Sequence, residues 1–130
     1  MLLPMEQPAA APAPTGRQCS GAAAEARAAE LLRAAGYLIV ARNFRCRMGE
    51  LDIVARRDRL LVIAEVRLRR SGRFGGAAAS VGAAKRARIV RATRYLLMRE
   101  PRLARLAVRF DTLLLADGDG PIEWIESAFT

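Results

Sequence analysis

Two apolar, β-branched runs, Leu51 to Ala55 and Leu60 to Val66, flank the charged stretch Arg56-Arg57-Asp58-Arg59. Both runs have the length of buried strands, and the polar residues between them read as a hairpin turn. Asp52 and Glu65 lie inside these runs, with Glu50 just before the first and Arg67 just after the second. Acidic residues rarely sit in such strands unless they are paired or bind a cation.

The turn fixes the geometry. An even-length loop centred between Asp58 and Arg59 sets Asp52 opposite Glu65 and Glu50 opposite Arg67. Residues directly opposite on one face have Cβ atoms about 5 Å apart. Residues two apart on a strand share a face, so all four side chains project from one side. A one-residue bulge would break this register and send the carboxylates to opposite faces.

At 130 residues the chain is expected to form one domain, residues 17–130, behind an Ala/Pro-rich disordered tail, residues 1–16. Pro4, Pro8, Pro12 and Pro14 and the lack of basic residues before Thr15 argue against a secretory signal. No stretch approaches the ~20 apolar residues of a membrane span, so no membrane partner is expected. Cys19 and Cys46 have neither metal-ligand spacing nor disulfide-scaffold density, which suits a reducing cytoplasm. The net charge of +9 points to an anionic partner, most simply nucleic acid, although base composition alone can produce an Arg- and Ala-rich chain.

Along the chain, Ser20 to Ala35 reads as a helix stopped at Gly36. Strands follow at Tyr37–Phe44, Gly49–Arg56 and Leu60–Arg69, and then a glycine-rich mobile loop from Arg70 to Ala79. Ser80 is the expected N-cap of a second helix running to about Arg99, before Pro101. Leu103–Leu115 reads as a strand, Asp117–Gly120 as a turn and Ile122–Ile125 as a short last strand, with Trp124 and Phe129 in the core. The order α-β-β-β-α-β-β predicts an α/β fold. In it an antiparallel meander is joined, across the second helix, by a fourth strand parallel to a neighbour. That mixed sheet fits a restriction-endonuclease-like core, and other α+β folds share the order.

Asp52 and Glu65 are the metal-ligand candidates, because Mg²⁺ takes a few carboxylates together with waters and phosphate oxygens. The competing reading is a surface hairpin carrying cross-strand Glu50–Arg67 and Asp52–Arg69 ion pairs of little energetic weight. Arg67 stands where such nucleases generally place a lysine; its guanidinium stabilises phosphate charge but is a poor general base. Lys85 is the only lysine among 22 basic residues. At about 100° per residue, Val81, Lys85, Ile89, Ala92 and Leu96 form one stripe. The ammonium therefore either reaches the acids from the packed face or snorkels at its edge. Arg86, Arg88, Arg91 and Arg94 lie around the rest of that helix and, with Arg69, Arg70 and Arg73, can meet backbone phosphates. Aromatic residues are too few to favour single-strand stacking. By periodicity Glu25 and Glu30 are solvated helix residues, either of which could approach the acids. Asp111 reads as a structural partner for Arg109 or Arg42.

Taken together, these segments resemble the YraN family of small bacterial proteins, predicted endonucleases similar to archaeal Holliday-junction resolvases and PD-(D/E)XK nucleases. The resemblance rests on Gly21 and Glu25, Arg42-Asn43, Gly49-Glu50-Leu51-Asp52 and Glu65 to Arg70. It continues through Phe74 to Val81, Lys85, Arg109-Phe110-Asp111, Ile122 to Ile125 and Ala128-Phe129. It implies the nuclease fold and assigns the resolvase acids to Glu25, Asp52 and Glu65. Many family members carry lysine at the position of Arg67, and a subgroup carries arginine as here.

The expectation is therefore a Mg²⁺- or Mn²⁺-dependent endonuclease-like protein for branched or structured DNA. Asp52 and Glu65 would hold metal, Glu25 would assist, and Arg67 and Lys85 would act on phosphate or water. Arg69, Arg70, Arg73, Arg86 and Arg88 would hold DNA. Symmetric cutting of a junction would suit a homodimer. The alternative is a non-catalytic DNA-binding protein on a nuclease scaffold.

Overall fold

The computed structural model describes residues 16–69, 81–116 and 120–129, and only the backbone of residues 16–20 and 69. The expected tail, the glycine-rich loop with Arg70 and Arg73, the Ser80 cap, and residues 117–119 of the expected turn lie outside the described residues, as does the Arg69 side chain.

The elements are α1 (Gly16–Ala34), β1 (Leu38–Cys46), β2 (Gly49–Arg57), β3 (Leu60–Arg69), α2 (Ala83–Arg99), β4 (Ala107–Ala116) and β5 (Ile122–Phe129). They form one mixed sheet in the order β1-β2-β3-β4-β5, in which only β3 and β4 run parallel. A parallel neighbour needs a crossover connection, and α2 lies within it. Among the described residues this α/β arrangement, five strands and two helices, is consistent with a nuclease-like core.

Each helix buries an apolar stripe against the sheet. On α1, Ala24, Ala28, Ala29 and Leu32 pack on Ile53, Ala55, Val62, Ala64, Leu113 and Leu115. The small side chains of Ala24, Ala28 and Ala29 let the helix approach the strands closely. On α2, Ile89, Ala92 and Leu96 pack on Val54, Leu61 and Ile63. Burying each large aliphatic side chain contributes about 1.5–3 kcal/mol, so two stripes suffice to clamp the sheet. Gly36 ends α1 as expected: it adopts φ +92°. Its N–H reaches Arg33 O, and the Tyr37 N–H reaches back to Leu32 O at 2.9 Å.

Three boundaries differ from the sequence reading. The N-cap of α2 is Gly82, which offers no side-chain hydrogen bond, rather than Ser80. Leu103–Arg105 is a 3₁₀ turn following Pro101, and the strand begins at Ala107. The apolar side chain of Leu103 is buried as a plug and not as a strand residue. The last strand continues to Phe129 instead of stopping at Ile125, because it bulges opposite Asp111 and passes Ser127 at φ +52°. Asp111 is fully buried there and accepts from Arg109, from Trp124 Nε1 at 2.8 Å and from the Ser127 N–H at 3.1 Å. It is the structural acid the sequence suggested, with Arg109 rather than Arg42 as its partner.

The hairpin between β2 and β3 has the expected register from Arg57↔Leu60 to Ile53↔Ala64. Asp58 makes the turn at φ +54°. Beyond Ile53 the strands diverge. Leu51 and Val54 both pack in the α2-side core, as do Ala41 and Phe44 on β1. Strict alternation cannot place residues three apart on one face, so both strands turn over between them. On β1 this occurs at Asn43, whose φ is +54°, a conformation asparagine tolerates better than most residues.

Candidate active site

A cleft of about 430 Å³ opens where β2 and β3 part. Glu50 and Asp52 of β2 and Glu65 of β3 line it from the sheet, Arg45 and Cys46 from the end of β1, and Lys85, Arg88 and Ile89 from α2. Gly49 sets how closely α2 can approach. A Cβ there would lie 3.1 Å from the backbone oxygen of Arg88, so a side chain would fit only if α2 gave way slightly.

Glu65 is only 5% exposed despite its charge. Its Oε1 is ion-paired with Lys85 Nζ, which reaches in from the first turn of α2 while nearly half of the lysine side chain stays in solvent. The stripe argument thus placed Lys85 on the packed face, and the ammonium does reach the acids. Asp52 is half-buried, and its Oδ2 accepts the Val66 backbone N–H at 2.9 Å. Burial, then the neighbouring Glu65 charge, push its carboxyl from the usual 3.8 up to about 8. The two carboxyls also hydrogen-bond, which favours a proton on Asp52.

Glu25 approaches from α1. Its Oε1 accepts from Asn43 Nδ2 at 2.8 Å and from Arg42 Nε at 3.3 Å. Burial raises its pKa against the opposing pull of Arg42, and its charge is felt at Asp52. Glu25 is therefore electrostatically linked to the pair without lining the cleft. Glu30 faces solvent and pairs with Arg33.

The four-residue face expected from the hairpin is only partly formed. Asp52 and Glu65 come together, but Glu50 reaches across to Arg45 on β1 at 3.4 Å, and Arg67 is not among the residues lining the cleft. The strand divergence at Asp52 is the cause. Glu65 is buried and Asp52 accepts from backbone, unlike the acids of a solvent-facing hairpin, while the Arg69 side chain of the alternative ion pair lies outside the described residues. Of the expected DNA contacts, Arg88 is at the cleft and Arg86 is exposed on the same helix outside it.

The donor set suits a hard divalent cation. Two carboxyl groups share one opening, and Mg²⁺ commonly takes one or two carboxylates with waters and phosphate oxygens completing its shell. Among the described residues no group of three or more His, Cys, Asp and Glu side chains is placed to hold a metal ion together.

A sequence model of Uncharacterised protein family UPF0102 matches residues 24–115, which span both acids, the whole hairpin and α2. The chain belongs to UPF0102, the YraN family. UPF0102 proteins from three bacteria illustrate the likeness. That of Saccharophagus degradans is 44% identical over 85% of this chain and 92% of its own. The protein of Bordetella petrii is 46% identical over 95% and 77%, and that of Xanthomonas campestris pv. campestris is 48% identical over 89% and 95%. The family is uncharacterised, so membership carries no activity with it.

Within this UPF0102 chain, sequence reasoning did not single out Arg45, Cys46 or Asn43 as parts of the site. Asn43 could have been found: an asparagine inside a strand, next to Arg42, signals a positive-φ break. Arg45 and Cys46 carry no comparable signal, because only the curl of β1 brings its end to the cleft.

Proposed function

We propose that this protein is a Mg²⁺- or Mn²⁺-dependent endonuclease-like protein acting on branched or otherwise structured DNA. The observation that carries the reading is the adjacent Asp52–Glu65 pair, Glu65 buried and Asp52 half-buried, in a cleft that Arg45, Lys85 and Arg88 also line. Asp52 and Glu65 would hold the cation, which supplies charge neutralisation at a scissile phosphate and makes water more acidic.

The chain's own residues do the rest. Val66 N–H fixes one Asp52 oxygen. With a cation on Glu65, the Lys85 ammonium, now ion-paired with that carboxylate, would be free to donate to a phosphate oxygen. Glu25, held by Arg42 and Asn43, keeps the negative field that attracts a cation. Arg45 of β1 and Arg88 of α2 both line the cleft, where a phosphodiester backbone would meet positive charge. Arg86, Arg69, Arg70 and Arg73 would extend that track, and Arg67 would add charge from the strand without general-base capacity. A cytoplasmic homodimer would suit paired cuts in a junction.

The test is incubation with branched and linear DNA plus Mg²⁺ or Mn²⁺. Cleavage by the wild type that disappears in Asp52→Ala supports the reading; cleavage that persists in the variant assigns it to a contaminant. Arg67 in place of the strand lysine favours a second reading, a non-catalytic DNA-binding protein on the same scaffold. It predicts salt-sensitive binding that survives Asp52→Ala, without turnover in Arg67→Lys.

A further inference from the structure

Behind Glu65 the sheet holds a polar atom that the site described so far does not use. Thr112 of β4 is 0% exposed, and its Oγ1 makes no hydrogen bond among the described residues. A hydroxyl desolvated without a partner costs about 1–3 kcal/mol. A fold without another use for it would place valine there, which has the same shape without the oxygen. Thr112 is also not at an arbitrary place. The parallel ladder pairs it directly with Glu65. Neighbouring strands lie about 4.8 Å apart, and paired residues present their side chains to the same face. On β4 the α1-side core takes Leu113 and Leu115, which leaves Thr112 on the α2 face with Glu65.

We propose that Thr112 is the positioning residue for Glu65: its hydroxyl is the donor that fixes the carboxylate when a divalent cation occupies the cleft. In the cation-free protein Glu65 is turned toward Lys85 and Asp52, and both of those contacts weaken once a dication neutralises the pair. The carboxylate then needs a fixed donor from the side away from the cation. Thr112 is the hydroxyl that the ladder sets beside it, on rigid backbone. Ligating carboxylates are commonly oriented by such a second hydrogen bond, whose loss typically lowers metal affinity 10–100-fold.

The inference rests on the cation site proposed above, and the experiment separates the two. Wild type, Thr112→Val and Thr112→Ser are melted without metal and across a Mn²⁺ titration. Thr112→Val is expected to melt at or above the wild-type temperature without metal, because the unpaired hydroxyl is gone, yet to bind Mn²⁺ about 10-fold more weakly. Thr112→Ser is expected to restore the Mn²⁺ affinity. An equal Mn²⁺ response in wild type and Thr112→Val overturns the positioning role and leaves the cation site standing. The same holds if Thr112→Val melts lower without metal, since the hydroxyl then serves the fold. A wild type with no Mn²⁺ response overturns the cation site, and the role of Thr112 with it.

Discussion

The Val66 backbone N–H donates to the Asp52 carboxylate at 2.9 Å, at the point where the hairpin register would have continued with Leu51. A side chain has replaced the next rung of the ladder. The strands part around this side chain, and the cleft that Glu65 and Lys85 share lies there.

The raised pKa of Asp52 gives the metal-free protein a pH dependence. With a folded value of about 8 against 3.8 for an ordinary Asp, folding takes up a proton between those limits. Stability from this group is therefore greatest below the unfolded pKa and falls as pH rises toward 8. Glu25, also raised, acts in the same sense. Urea unfolding between pH 5 and 8 is expected to show decreasing stability, and Asp52→Asn, which still accepts from Val66, is expected to flatten the slope. An unchanged slope in the variant contradicts the coupling.

Removing Lys85 strands a buried carboxylate. Lys85→Met is expected to lower stability at neutral pH by about 1 kcal/mol, the modest size following from the half-exposed lysine. Adding Glu65→Gln is expected to recover most of the loss. A double-mutant cycle by chemical denaturation measures the coupling, and additive effects would dissolve the pair.

Asp111 tests the structural side of the assignment. Asp111→Ala leaves Arg109, Trp124 Nε1 and the Ser127 N–H without their shared acceptor, and breaking a buried pair in this way costs about 3–5 kcal/mol. Thermal melting is expected to show the loss, with Mn²⁺ affinity of the folded fraction unchanged. Altered affinity would tie this cluster to the site.

Gly49 tests how α2 is set. Gly49→Val is expected to destabilise by about 1–3 kcal/mol through overpacking, since its Cβ would meet Arg88 O at 3.1 Å. It should also weaken Mn²⁺ binding as Lys85 and Arg88 shift. A variant of wild-type stability would mean that the helix is free to move.

Arg88 at the cleft wall tests phosphate contact. In DNA binding measured from low to high salt, Arg88→Ala is expected to weaken affinity similarly for all sequences and to reduce the salt slope by about 1. An unaltered slope removes Arg88 from the interface.

How much of this was legible depended on whether backbone or side chains made the decision. The hairpin register followed from β-branched runs on either side of four charged residues, because a short polar turn leaves few alternatives. The meander, the parallel fourth strand and the Gly36 stop were legible for similar reasons, and the helical stripe carried Lys85 to the right face. The divergence at Asp52 was not, since a carboxylate replacing a carbonyl in the ladder leaves no mark in hydrophobic periodicity. Arg67 was consequently expected in the cleft, and Arg45 was not. Leu103 reads as the start of a strand because a buried plug in a 3₁₀ turn has the same apolar signature. The continuation of β5 past Ile125 was hidden by polar Glu126 and Ser127, which form the bulge around Asp111.

Diffraction from Mn²⁺-soaked crystals at the manganese edge tests the central claim most directly. The account predicts one anomalous peak in the cleft, about 2.1 Å from an oxygen of Asp52 and from one of Glu65, with Lys85 displaced from its ion pair. No peak there at saturating Mn²⁺, with Glu65 still held by Lys85, would contradict it.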